Sequence, residues 1–304
     1  MEPSIPLSPL FLEKPKSSLT AWVDYFRAIE MPVLATTAEQ IDALALDEDT
    51  VDMNDLAALI NNDPLMLLRL LRHAGGKNLK GRNPADPKSV SSLETLILMG
   101  ITPFFRSFTN LPCAENWLAE RMEAMSGLDR VLDLGHRAAR FAHGFATQLD
   151  DPNAPLIHEA ALLHHFVEMM MWLHAPTLAQ QIDTLQATTP GLRTRQACRM
   201  VLGIDLLELR LALIKAWHLP DVLAQLTDDD HAKRAQVRCV SLAIRLARHT
   251  RKDPSLKALM HLPVEQLNAP GGLYHPALAQ DVKDIADLLH LGLEPTLSLL
   301  PKLV

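Results

Sequence analysis

Paired histidines in the middle of the chain are the residues best suited to chemistry. The segment His158 to Phe166, HEAALLHHF, places His164 and His165 side by side in an apolar stretch. Imidazole groups titrate near neutral pH, so they can act as acids, bases and metal ligands. Glu159 and Glu168 flank the pair, but a carboxylate on a helix is usually a solvated charge. The residues therefore leave two interpretations open, a reactive site or a pair of structural histidines.

A second histidine pair lies upstream of the first. His136 and His143 are seven residues apart, a spacing that places both side chains on one face of a helix. A shared face is equally consistent with a cleft and with a core position. These two residues alone therefore predict no reaction.

Other catalytic signatures are missing from the sequence. It has no G-x-S-x-G elbow, no H-E-x-x-H and no phosphate loop ending in Gly-Lys-Ser/Thr. Cys113, Cys198 and Cys239 are far apart and form no C-x-x-C pair, so we expect reduced, buried thiols. No independent enzyme class emerges from these residues.

Composition and charge limit the classes of function. The 304 residues are 48% hydrophobic, which is typical of a packed globular protein. The net charge of -7 makes nucleic acid a poor partner, and the local patch of Arg245, Arg248, Arg251 and Lys252 fits a solvated helix face. No signal peptide and no apolar run of about 18 residues occurs, so we expect no membrane partner and a cytoplasmic location.

Helical periodicity runs through the chain from Leu19 onward, and alternating strand patterns are absent. The predicted fold is all-α. Ser91 and Glu94 form a capping box that opens a helix which Gly100 can close. Ser126-Gly127 is expected to precede a helix at about Leu128–Gln148. Further helices are predicted at about Ile157–His174, Leu178–Leu185, Arg193–Leu202, Leu206–His218 and Arg234–His249, with two more opened by Asp253-Pro254 and His275-Pro276.

The segment Asn54 to Gly76, NDLAALINNDPLMLLRLLRHAGG, predicts two short helices joined at Asp63-Pro64. Asp63 can cap the second helix, and Pro64 fits its first position, where the missing N–H would be unpaired anyway. Gly75 and Gly76 are expected to end that helix in a left-handed conformation. The sequence therefore predicts a tight helix pair.

This helix pair, preceded by Met31-Pro32-Val33-Leu34 and followed by SVSSLETLILMGITPFF, resembles the N-terminal half of the HDOD family, signalling relatives of the HD phosphohydrolases. HEAALLHHF resembles the stretch around the family's HD dipeptide, and LGIDLLELRLALIKAWHLP resembles its later helix ending in Trp217 to Pro220. The resemblance covers roughly residues 19–250 and implies a two-lobed multi-helix bundle. Its expected organisation is a proline-rich flexible tail over 1–18, an N-terminal helical lobe over 19–115 and an HD-like helical lobe with C-terminal helices over 116–304.

The resemblance also indicates where a metal site would lie. In HD phosphohydrolases His, His-Asp and a later Asp bind one or two divalent metals and activate water. By position, His136 resembles the first ligand and His164 the His of the dipeptide, but His165 replaces the Asp, which alone could bridge two ions. Ile244 stands where the late Asp is expected, and Leu206 where a His is expected; Asp230 and His231 remain as further candidates. Either a residual metal site survives on His136, His164 and His165, or these are histidines without metal.

We therefore expect no cofactor and a non-catalytic signal-transduction protein of bacterial type. The resemblance implies that it binds signalling proteins in trans, or a nucleotide or cyclic dinucleotide, in a groove between the lobes. That groove is expected near the ends of the helices that contain Asp63 to Ala74 and Leu206 to His218. The alternative is a metal-dependent phosphohydrolase acting on nucleotides or cyclic dinucleotides with an altered ligand set. A sensor that holds a nucleotide without hydrolysing it lies between the two.

Overall fold

The structure is a computed structural model that describes residues 11–76, 91–219, 221–226, 234–250 and 276–303. Within these ranges the chain is α-helical, and the only β-pairing is one isolated bridge between Val33 and Cys113. The prediction of an all-α fold is confirmed. In the same part of the chain, no helix has the length and apolar character needed to cross a membrane.

The helices follow one another with short connections. They are α1 (Leu19–Ala28), α2 (Ala35–Leu44), a 3₁₀ helix (Ala45–Thr50), α3 (Met53–Asn61), α4 (Pro64–Gly76), α5 (Ser92–Met99), α6 (Ile101–Phe108), α7 (Ala114–Trp117), α8 (Met122–Gln148), α9 (Ala154–Leu162), α10 (Phe166–His174), α11 (Pro176–Thr188), α12 (Thr194–Leu202), α13 (Leu206–Ala216), α14 (Asp221–Leu226), α15 (Ala235–His249), α16 (Pro276–Leu289), α17 (Leu293–Leu299) and a final 3₁₀ turn (Leu300–Leu303).

The chain divides into two compact units that alternate along the sequence. The first contains Met1–Leu132 and His165–Pro220, and the second contains Asp133–His164 and Asp221–Val304. The sequence-based lobes, 19–115 and 116–304, are consecutive segments and stay a prediction. The structural grouping differs because α10 and α13 pack against α4 and α1, which lie early in the chain.

Aromatic packing holds α1 in the first unit. Ser18 caps α1, and Trp22 stacks on Phe26 with ring centroids 5.8 Å apart. Both side chains are fully buried, and the Trp22 indole N–H donates to the carbonyl of Leu202 at 3.4 Å. Residues 11–18, predicted as part of the tail, run alongside this unit, where the Leu12 N–H donates to the His174 carbonyl at 2.7 Å.

The second unit is centred on α15, which packs against α9 and α16. The apolar face of α15 is buried, while Arg245 on its other side contacts Asp281 at 2.6 Å and Asp284 at 3.0 Å on α16. Arg245, which the sequence placed on a solvated basic face, is therefore ion-paired. Pro276 opens α16 as predicted, whereas the helix expected after Asp253 lies outside the described residues.

Asp63 organises the joint between α3 and α4. Its Oδ1 accepts hydrogen bonds from the N–H groups of Leu65 at 2.8 Å and Met66 at 3.2 Å, and its Oδ2 accepts from Leu34 at 2.8 Å. Burial raises the pKa of the fully buried Asp63 carboxyl, and these N–H donors act in the opposite direction. The predicted cap is thus present, and the same carboxylate also fixes the segment that follows α1. The Ser91–Glu94 capping box and the end of α5 at Gly100 are likewise confirmed.

Two predictions that were based on glycine residues are wrong. Gly75 and Gly76 lie within α4 and do not end it in a left-handed conformation. Ser126 and Gly127 likewise lie inside α8, which begins at Met122. The physical reason is close packing, because a Cβ on Gly75 would lie 2.4 Å from the Trp217 carbonyl oxygen and one on Gly127 would lie 2.5 Å from the Trp172 ring.

We predict that Gly75→Ala destabilises the protein by about 1–3 kcal/mol, because the new methyl group overlaps the Trp217 backbone and forces a shift. Gly76→Ala is the matched control, since no described residue has an atom within 4 Å of its added Cβ and alanine favours a helix. Urea unfolding of both variants measures the difference. Equal free energies of unfolding for the two variants would contradict this account of the helix contact.

Candidate functional site

The two central histidines lie in a turn rather than within one helix. The predicted helix Ile157–His174 is interrupted at residues 163–165, so α9 ends at Leu162 and α10 begins at Phe166. His164 is 3% exposed and His165 is 4% exposed. Both histidines are therefore buried at the break between the two helices.

His165, which precedes α10, is paired with a carboxylate in the first turn of that helix. Its Nδ1 lies 3.1 Å from Glu168 Oε1. Burial alone would raise the pKa of Glu168, but the positive charge and hydrogen bond of His165, with smaller contributions from its own backbone and Arg210, lower it to about 2. Glu168 is therefore ionised at neutral pH.

His136 belongs to a histidine group in the second unit. On α8, His136 and His143 both act electrostatically on His158 of α9, and the His143 and His158 ring centroids are 5.9 Å apart. Burial, followed by these neighbouring charges, lowers the pKa of His158 to about 4, although a hydrogen bond to Ala139 opposes the shift. Burial also lowers the pKa of His136. The sequence had not singled out His158.

Two positions where the resemblance expects metal ligands carry apolar side chains in the structure. Ile244 is 2% exposed and Leu206 is half-buried, and neither side chain has a donor atom. Asp230 and His231 lie outside the described residues. Among the residues that are described, no three His, Cys, Asp or Glu side chains group closely enough to hold a metal ion. The described positions of the HD-like set therefore do not fit the two-metal arrangement.

The C-terminal ends of α4 and α13 form a second candidate site, within the first unit. After α13 ends at Ala216, the His218 N–H donates to the Lys215 carbonyl at 3.2 Å, and the Leu219 N–H donates to the Ile214 carbonyl at 2.9 Å. The backbone of His218 has a φ of 52°. This pattern is a Schellman cap, and histidine is among the residues that tolerate its left-handed position. It turns the Trp217 and His218 carbonyl groups towards Gly75 of α4.

Two arginines of α4 connect it to the end of α1. Arg72 donates to the carbonyls of Arg27 at 2.7 Å and Ile29 at 3.2 Å, and Arg69 donates to the Met31 carbonyl. A cation suits this position because the C-terminus of a helix carries partial negative charge. The Arg72 guanidinium also lies 5.1 Å from the centre of the Trp217 ring, a cation–π contact.

These contacts lie within one unit, and the groove predicted between two lobes stays a prediction. The sequence placed the ends of both helices beside a groove between two lobes, but α4 and α13 belong to the same unit. They meet directly because Gly75 lacks a side chain. The sequence analysis did not single out Arg69 and Arg72, although their spacing of three residues on α4 was a visible signal.

The three cysteines are free thiols, as expected from their spacing. Burial raises the pKa of Cys198 and of Cys239 to about 12, so both are protonated at neutral pH. Cys113 is only partly buried, because it lies at the isolated bridge to Val33 near the surface. None of the three is placed for nucleophilic chemistry.

The comparison with family models identifies the family, and the comparison with solved structures supports the fold. The HDOD domain profile matches residues 31–233, two thirds of the chain, and the chain therefore belongs to the HDOD domain family. It is similar in fold to the MmoQ response regulator from Methylococcus capsulatus, with 19% identity, a TM-score of 0.55, and coverage of 86% of this chain and 98% of that chain. It is also similar to a virulence factor from Campylobacter jejuni, with 14% identity, a TM-score of 0.55, and coverage of 90% and 99%. No curated protein matches the sequence significantly.

We predict that acidification destabilises the first unit through His174, which lies beside Trp117 and Phe26. Burial and then the charge of Arg72 lower the pKa of His174 to about 3. The unfolded chain takes up this proton below about pH 6.5 and the folded chain does not, so stability falls between about pH 6.5 and 3. The loss at pH 5 is expected to be about 2 kcal/mol.

Urea unfolding of the wild type and His174→Phe at pH 7 and pH 5 measures this contribution. The phenylalanine variant should lose less stability on acidification, since it has no proton to accept at this position. The exposed His218→Asn is a control for removing one histidine, and asparagine tolerates the left-handed backbone there. If His174→Phe and the wild type respond identically to pH, the burial argument is wrong.

Proposed function

We propose that this chain is a non-catalytic regulatory protein of the HDOD family that acts by binding signalling proteins in trans. The observation that carries the proposal is the contact between His165 and Glu168, at 3.1 Å. His165 occupies the position where the family resemblance expects a metal-bridging aspartate. An imidazole with one ring nitrogen on a carboxylate has only one nitrogen left and cannot bridge two ions as an aspartate does, which supports a structural role for His165.

The other described positions support the same proposal. Ile244 contributes an apolar side chain to the core of the second unit, where a late metal-binding aspartate is expected from the resemblance. An aspartate could replace it only with a charged, hydrogen-bonding environment, since an unpaired buried charge is very costly. The surroundings of Ile244 on α15 are apolar, with Val240 and Ala243 buried on the same helix.

The exposed face of α13 is the surface we propose for partner binding. Glu208, Leu211 and Lys215 lie along one side of this helix, and Leu211 is 37% exposed. The spacing of three, four and seven residues is the pattern that helix-in-groove and helix-on-helix contacts use. The fixed cap of α13 and its contact with Gly75 hold this face in a defined position within the first unit.

We predict that the purified protein retains less than stoichiometric Mn, Fe or Zn after incubation and desalting, and that it turns over no nucleotide or cyclic dinucleotide. Elemental analysis and a phosphodiester panel measure both properties, with His164→Ala alongside. The expected result is the same metal content for the wild type and the variant. Stoichiometric metal and turnover that are both lost in His164→Ala would instead establish the metal-dependent phosphohydrolase with an altered ligand set.

We predict that a photoreactive residue at position 211 forms a discrete adduct with another protein in the native host cell. Lys215→Glu in the same chain should weaken that adduct because it reverses a charge on the proposed surface, while the photoreactive residue remains. Glu120→Lys, at an exposed position before α8, is a control for charge reversal elsewhere. An unchanged set of adducts in Lys215→Glu would contradict the proposed surface.

A further inference from the structure

A cavity of about 370 Å³ lies in the first unit, beside the C-terminal half of α4. Its basic wall is formed by Arg69, Arg72 and His73, and its apolar wall includes Met31 after α1 and Phe108 at the end of α6. The His73 and Phe108 rings contact each other, with centroids 5.0 Å apart. The volume is at the small end of the range of about 300–1,000 Å³ typical of small-molecule sites.

The charges on this cavity are unbalanced. Arg69 and Arg72 carry two positive charges; burial lowers the pKa of both side chains, and the charge of Arg69 lowers that of Arg72 further. Among the described residues, the acid paired with them is Glu30, whose carboxylate is 60% exposed and lies 3.7 Å from Arg69. An exposed carboxylate at this distance compensates little of the charge.

The two guanidinium groups also keep hydrogen-bonding capacity. Arg72 uses two of its N–H groups on the carbonyls of Arg27 and Ile29, and Arg69 uses one on Met31. Each arginine side chain has five N–H donors in a planar fork, a geometry that suits the oxygens of a phosphate group. The hydrogen bonds to backbone carbonyl groups hold both guanidinium groups in place without neutralising their charge.

A second cavity in the same unit provides a comparison. It measures about 400 Å³, and its Arg130 lies over the Trp172 ring, much as Arg72 lies over Trp217. There, however, Asp183 binds the Arg130 guanidinium at 2.6 Å, and Glu123 adds a further acid. Its charge is therefore compensated locally, whereas among the described residues the α4 cavity has only the exposed Glu30 beside its arginines.

We propose that the α4 cavity binds a small phosphate monoester with an aromatic or apolar group. The phosphate would lie against Arg69, Arg72 and His73, and the apolar group against Met31 and Phe108. This inference goes beyond the proposed function, because it assigns a small-molecule site that requires neither the exposed face of α13 nor a partner protein.

Calorimetric titration of the full chain with guanosine 5′-monophosphate, phenyl phosphate and inorganic phosphate tests the site. We expect saturable binding of at least one of the two esters, weaker binding of inorganic phosphate, and no binding of guanosine. Arg69→Gln should weaken binding by roughly 10–100-fold, because it removes charge-assisted hydrogen bonds. Glu30→Gln should strengthen binding by about 2–5-fold, because it removes the acid beside the site.

The Glu30→Gln variant keeps the test decisive if Arg69→Gln folds poorly, since Glu30 is exposed. Glu123→Gln removes an acid at the second cavity and is the matched control, with no expected change in affinity. The site is overturned if none of the three phosphates saturates at millimolar concentration, if guanosine binds as well as its monophosphate, or if Glu30→Gln and Glu123→Gln have the same affinity. None of these outcomes bears on partner binding through α13, so the two proposals fail separately.

Discussion

The close approach of α4 to the end of α13 is the constraint on which the described site depends. It requires a glycine at position 75, because the Trp217 carbonyl occupies the space of any larger side chain. The same approach brings Arg72 over the Trp217 ring, while Asp63 fixes the start of α4 and the segment after α1. The arginines that line the α4 cavity are therefore held in position by contacts at the start of α4, through Asp63, and at its end, through Gly75.

Local signals in the sequence were sufficient for much of the fold. Asp63-Pro64 and the Ser91–Glu94 box act on their own helix ends, so a few neighbouring residues specify them. Gly75 and Gly127 could not be interpreted this way, since a glycine required by a distant backbone or ring has the same local appearance as one that ends a helix. The break at His164 was equally hidden, because an apolar segment on both sides continues the helical period.

At the HD-like positions, the sequence could predict which residue types are present but not which contacts they make. The sequence identified the replacements at His165, Ile244 and Leu206, but it could not show that Glu168 would hold His165 or that His158 would join His136 and His143. Those relations depend on how separate helices pack. We take them to support our proposals that the histidines contribute to structure and that α13 and the α4 cavity serve recognition.

Manganese titration followed by histidine imidazole NMR signals tests the central claim of a metal-independent regulator most directly. Mn²⁺ broadens the signals of nuclei close to it, so a bound ion would be located residue by residue. The account predicts no selective, saturable broadening of His136, His164 or His165 at one equivalent of Mn²⁺. Selective broadening of these three histidines, saturating at a stoichiometric amount, would contradict it and indicate that the HD-like site still binds metal.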